Sequence, residues 1–298
     1  VPTRDAPHLA AAHRFAAIGT AWQIDTETPL PDRLRSRIGE LCEDFDRVWS
    51  RFRADSLVQE IARAPGGGRF RIPTRDVALL DLYDRLVDAT GGAVDPLLGR
   101  DLELLGYDSG YSLRPDRAGL EGRVADRWSR DVCRDGTMLV TERPVVIDVG
   151  AAGKGHLVDL LAALLLGNGI TTFVVDGSGD LRHRGPEPFV VGLEHPTLSG
   201  RVLGTVPLQD GALCASATTR RAWGEDLHHV LDGRTGRPAT DVVATWAMAI
   251  DAATADALAT ALFVADPKDL GSFGVSWVRM LTDGRVQWSG DFAGELFL

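Results

Sequence analysis

The sequence predicts an α+β fold. Three observations point there: amphipathic stretches at helical spacing, short runs that alternate or are β-branched, and no strict strand–helix rhythm of the kind a doubly wound sheet requires. Residues 15–25 alternate as a strand interrupted at Gly19. From Asp32 the period lengthens. Leu34, Ile38, Leu41, Phe45, Val48, Trp49 and Phe52 recur at helical spacing and predict one long amphipathic helix. A glycine triplet at 66–68 marks a turn. Thr74 suits the N-cap of a second helix carrying Val77, Leu80, Tyr83 and Val87, closed near Gly91-Gly92. Residues 108–143 are polar and rich in turn formers, and read as loops with short strands.

The centre is more regular. Residues 145–149 read as a short strand, 150–155 as a glycine-rich turn, 157–166 as a helix ended by Gly167-Asn168-Gly169, and 171–175 as a further strand. Residues 242–250 alternate as a strand and 252–264 form a strong helical pattern. Near the C-terminus, 275–281 and 285–288 flank Asp283-Gly284, a hairpin signal.

The 298 residues suffice for one large domain or two ordinary ones. With 44% hydrophobic and 25% charged residues, disordered and fibrous classes are excluded. A net charge of −10 repels phosphate backbones and anionic lipid, so no nucleic-acid partner is expected. The cations are uneven: of 32, all but Lys154 and Lys268 are arginine. Cys42, Cys133 and Cys214 stand far apart in no CxxC or CxxH spacing, which argues against a zinc site or a disulfide framework. No stretch approaches the ~18–20 apolar residues of a membrane span. The chain begins at Val1 without Met, so a removed signal or lipid-attachment segment stays open, and with it a choice between a cytoplasmic and an exported or anchored protein.

Four segments carry chemistry. Asp148-Val-Gly150-Ala-Ala-Gly153-Lys154-Gly155 could cradle a phosphate at a helix start, or be a structural turn. It fits neither the Walker A spacing nor GxGxxG. Lys154 offers a compact ammonium where a guanidinium fork would not fit. Asp176-Gly-Ser-Gly179-Asp180 follows a strand and suits either a ligand loop or an Asx turn. His229, Asp232 and Arg234 crowd one Gly/Pro-rich turn; they suit either a titratable group beside a phosphate-binding guanidinium or a structural turn with a surface or satisfied core histidine. Asp256 and Thr260 project from one face of an Ala-rich helix, where a hard cation such as Mg²⁺ would satisfy both. Dipole compensation would equally place Asp256 there.

In this order the segments resemble the ApbE family of FAD:protein FMN transferases. The family's DLGGxAKGxxxD turn matches Asp148 through Asp159, its GGD matches Ser178-Gly179-Asp180, and its HxxDPRTGxP matches His229 through Pro238. Its ADALATALF helix stands unchanged from Ala255 to Phe263. Gly19-Thr20, Phe45-Asp46-Arg47 with Ser50-Arg51-Phe52-Arg53, Gly91-Gly92-Ala93-Val94-Asp95-Pro96 and Ser216 extend the likeness. Departures are Ile18, Ala151, His156, Ser178, Ala217 and Gly233.

The resemblance implies one domain over residues 1–298 made of two intertwined α+β subdomains with antiparallel sheets, and a flavin and metal site between them. It implies Mg²⁺-dependent cleavage of the FAD pyrophosphate. FMN then passes through a phosphoester bond to a Ser or Thr hydroxyl of an acceptor flavoprotein, with release of AMP. An FAD pyrophosphatase, or an FAD-binding protein without catalysis, are the alternatives. The metal is expected at Asp256, Thr260 and the Gly153 carbonyl. His229 is expected as the base, with Asp256 also catalytic. Gly150, Lys154, Gly179, Asp180, Ser216, Arg234, Thr235 and Gly236 are expected around the dinucleotide. Family members are often exported lipoproteins or periplasmic; this chain carries no lipobox cysteine.

Overall fold

The computed structural model describes residues 9–121, 124–224 and 227–298. An eight-stranded sheet organises it, in the order Ala11–Ala17, Thr20–Thr26, Phe173–Asp176, Asp180–Arg184, Ala212–Ala217, Val242–Ala249, Ser276–Leu281 and Val286–Trp288. Every neighbouring pair is antiparallel, as an α+β fold requires. Between its second and third strands the chain leaves the sheet. There it builds the Asp32–Trp49, Val77–Thr90 and Gly153–Leu166 helices and a small sheet of Gly68–Arg71, Met138–Thr141 and Cys133–Asp135.

The sheet separates two cores. Because side chains alternate along a strand, Ala212 and Cys214 join the helix-side cluster while Leu213 joins the cluster on the opposite face. That second cluster is closed by a three-stranded sheet of Glu295–Leu296, Val202–Leu208 and Phe189–Glu194.

On the helix side, Gly153–Leu166 crosses Ala252–Ala261 closely. A Cβ on Gly155 would lie 2.1 Å from the Ala252 carbonyl oxygen, so only glycine permits the contact. Asp159 accepts from the backbone N–H of Ala252 (3.0 Å) and of Ala253 (2.8 Å), and so caps the second helix from the first. Asp251 caps it from its own chain, accepting from Thr254 N at 2.7 Å. The Thr245 hydroxyl donates to Ala259 O at 2.6 Å and holds the helix to the sheet. No described helix is long and apolar enough to cross a membrane.

Several expectations need correction. Residues 145–149 are buried apart from half-buried Asp148, yet join no ladder among the described residues; Asp148 N donates to Pro96 O instead, at 2.8 Å. Thr74 caps no helix: a short 3₁₀ turn, Thr74–Asp76, precedes Val77–Thr90. That helix ends where expected, on Gly91 at φ 58°. The long helix stops at Trp49, before Phe52, whose ring stacks on Tyr111 at 5.2 Å. Gly153, Lys154 and Gly155 belong to the first turn of the helix and not to a loop ahead of it.

Candidate active site

A cavity of about 600 Å³ opens where these elements meet, within the range of small-molecule sites. Its polar lining comes from the first turn of Gly153–Leu166 and its approach (Asp148, Gly150, Lys154), the Ala252–Ala261 helix (Asp256, Thr260), and the hairpin after Phe173–Asp176 (Asp176, Ser178, Gly179). Ser216 and His229 add to it, as do Thr20, Asp95, Glu194, His195 and Thr219. Apolar lining falls into separate sets. Leu181, Val191, Leu213, Ala244 and Trp246 belong to the core closed by the three-stranded sheet. Leu102, Tyr107 and Leu231 belong to a different cluster. Polar groups with more than one apolar wall suit a molecule that carries charge together with aromatic rings.

The glycine turn is fixed by its own aspartate. Asp148 accepts from Gly150 N through one oxygen and from Arg51 Nε through the other, both at 2.6 Å. Arg51 is buried and also donates to the Tyr107 carbonyl at 2.6 Å, so one guanidinium steadies two cavity-lining residues. Lys154 reaches the cavity with its ammonium bonded to Asp180, which is fully buried behind it. The hairpin that presents Asp180 turns on Ser178 (φ 64°) and Gly179 (φ 105°), the left-handed pair of a tight strand-to-strand turn.

Asp256 is 3% exposed, and its Oδ2 accepts from Gly155 N at 2.9 Å. Thr260 stands one turn further along the same face of the helix. His229 follows His228, which is held as a structural residue: its Nε2 lies 2.8 Å from Ala239 O and its Nδ1 accepts from Val230 N. Burial pushes the His228 imidazole below its usual pKa. Burial also pushes the thiol of Cys214, on the Ala212–Ala217 strand, well above its ordinary value.

Of the expected site residues, Gly150, Lys154, Gly179, Ser216, His229, Asp256 and Thr260 line one cavity. Asp180 stands directly behind Lys154. Gly153 begins its helix against Val149 and Phe45. Arg234, Thr235 and Gly236 do not line the cavity. They form the turn after His229: Arg234 pairs with Asp232 (2.6 Å) and donates to Val264 O, while Gly236 N donates to Asp232 O. Burial raises the Asp232 carboxyl, but the Arg234 guanidinium outweighs it and the group sits below the usual carboxylate range. Thr20 lines the cavity from the Gly19-Thr20 match to the family, where no role in the site is expected; Tyr107, His195 and Trp246 line it from segments with no chemical motif.

The ApbE family pattern matches residues 18–278. The chain is 28% identical over 296 residues to an FAD:protein FMN transferase of Rhodobacter capsulatus, covering 93% of this chain and 56% of that protein. It therefore spans little more than half that relative's length. It is 31% identical over 272 residues to the FAD:protein FMN transferase of Escherichia coli strain K12, covering 84% of this chain and 77% of that one. The crystal structure of an ApbE protein from Thermotoga maritima superposes with a TM-score of 0.83 at 27% identity, covering 94% of this chain and 97% of the other. Every cavity-lining residue, from Thr20 to Thr260, falls inside the matched stretch, so the likeness takes in the site as well as the scaffold: this chain belongs to the ApbE family.

Proposed function

We propose that the protein cleaves the pyrophosphate of FAD and attaches FMN through a phosphoester bond to a Ser or Thr hydroxyl of an acceptor protein, releasing AMP. The observation that carries this reading is the meeting of Lys154 with Asp256 and Thr260 at one cavity, from two helices joined across 101 sequence positions.

The donor set fits Mg²⁺. A buried carboxylate and a hydroxyl on one helix face are hard oxygen ligands, and Mg²⁺ takes few protein ligands beside substrate phosphate. The candidate donors are Asp256, Thr260 and main-chain carbonyls such as that of Gly153, and among the described residues no group of three His, Cys, Asp or Glu is placed to hold a metal. Such a cation supplies neutralisation of charge on the phosphoryl oxygens.

The chain's own residues do the rest. Lys154, held by Asp180, sets a fixed positive charge beside the pyrophosphate, and the start of its helix favours the same anion. His229 takes the proton of the attacking hydroxyl. The hydroxyl oxygen bonds to the flavin-side phosphorus, and the bond from that phosphorus to the bridging oxygen breaks. The bridging oxygen departs with AMP.

The test is incubation of FAD, Mg²⁺ and an acceptor protein with wild type and Asp256→Ala, read as a fluorescent flavin band on a denaturing gel. Wild type labels the acceptor, and the variant folds but does not. Undiminished labelling by the variant would overturn the reading. AMP release without any acceptor would make water the nucleophile.

A further inference from the structure

His195 directly follows the Phe189–Glu194 strand and lines the cavity. The loop after it is built around its ring. Nδ1 accepts from the backbone N–H of Thr197 (3.3 Å) and of Leu198 (3.2 Å). His195 N donates to Arg201 O at 2.9 Å and closes the loop. The Thr219 hydroxyl donates to Pro196 O and ties it to the neighbouring segment. A neutral imidazole has one acceptor and one donor nitrogen. With Nδ1 accepting, the proton sits on Nε2, and no group among the described residues bonds that atom.

Val191, Leu213 and Trp246 give the same cavity an apolar wall, while Glu194 and Thr219 line it as polar neighbours. An oriented N–H in a cavity that also has an apolar wall can read a flat heterocycle, where the wall takes the ring face and the donor takes an edge acceptor.

We propose that His195 is a specificity-determining residue. Its Nε2–H donates to an edge nitrogen or carbonyl of one of the two ring systems of the dinucleotide, seated against Val191, Leu213 and Trp246. This rests on the reading of the cavity as an FAD site. Flavin and adenine both present such acceptors, and the test separates them.

His195→Asn keeps an acceptor at the position of Nδ1, so the loop stays capped, but it cannot reach with a donor. His195→Gln can carry an amide N–H out to roughly where Nε2 stands. Dissociation constants for FAD, FMN and AMP are measured by flavin fluorescence and calorimetry, with thermal melting alongside. We expect H195N to melt like wild type, to weaken FAD about tenfold, and to weaken either FMN or AMP equally while sparing the other. The affected fragment names the ring. H195Q recovers part of the loss. Wild-type affinity of H195N for all three ligands would overturn the inference alone. Failure of wild-type protein to bind any of them would overturn the FAD reading and this inference with it.

Discussion

Gly155 donates its backbone N–H to Oδ2 of Asp256 over 2.9 Å, and the two helices touch at that point. A Cβ at Gly155 would stand 2.1 Å from the Ala252 carbonyl oxygen and 2.7 Å from the Asp256 Cβ. The first obstacle is backbone and does not yield by a side-chain rotation. Gly155→Ala should therefore part the helices, cost about 1–3 kcal/mol in urea denaturation, and abolish flavin transfer by moving Asp256. Gly39→Ala, inside the Asp32–Trp49 helix where a Cβ meets nothing within 4 Å, is the control for a helical glycine without the contact. Transfer at the wild-type rate by Gly155→Ala would show that the contact is not needed.

Asp159 links the same two helices from further along. Its carboxylate receives two N–H groups of the Ala252–Ala261 helix and the guanidinium of Arg182 (2.6 Å). Burial raises its pKa, and the two N–H groups pull against that rise. Asp159→Ala leaves two helix donors unmet inside the protein and should lower stability by about 1–3 kcal/mol. The measurement is the midpoint of thermal or urea unfolding.

Lys154 and Asp180 form a pair in which the carboxylate is fully buried. Removing only the cation, as in Lys154→Ala, strands a buried charge and should cost about 3–5 kcal/mol. Lys154→Ala with Asp180→Asn should recover much of that stability while leaving transfer abolished. Lys154→Arg preserves charge but asks a planar fork to occupy the place of a compact ammonium. It too should lower the melting temperature and the transfer rate. A stable, active Lys154→Arg enzyme would contradict this account.

His228 gives stability a pH dependence. Its folded pKa lies below 6.5, because burial disfavours the imidazolium more than the Ala239 carbonyl favours it. The unfolded chain then binds a proton before the folded one does. The contribution is complete above pH 6.5 and is lost as pH falls below that value. Wild type should lose stability on acidification through this range, and His228→Gln should lose less, as read by urea denaturation at a series of pH values.

The elements that could be read from sequence are those whose neighbours along the chain are also their neighbours in space. The apolar stripe of Asp32–Trp49 declares a helix, and Asp256 with Thr260 declares a polar face on a helix otherwise made of small apolar residues. Residues 145–149 have strand composition but spend their backbone on Pro96 and the glycine turn, which composition does not reveal. The same limit governs the cavity. Thr20, Tyr107, His195 and Trp246 meet there because the sheet order brings distant segments together, and no local spacing encodes that. Arg234, Thr235 and Gly236 show the converse. Asp232 organises them into a turn whose residue types are also those of an anion site, and one sequence does not distinguish the two uses.

The strand Ala212–Ala217 works as a partition. Leu213 and Ala215 form part of the apolar wall of the cavity, while Cys214 faces the helix and its thiol donates a hydrogen bond to the Ala252 carbonyl. Leu213 and Ala215 shape the apolar side of the cavity; Ala212 and Cys214 pack toward the helix that carries Asp256, and Ser216, near the end of the strand, lines the cavity again. Ligand preference can thus be retuned at Leu213 or Ala215 with the Asp256–Thr260 face left in place. The period of two in a β-strand lets the apolar wall of the cavity vary while the packing behind the helix stays in place.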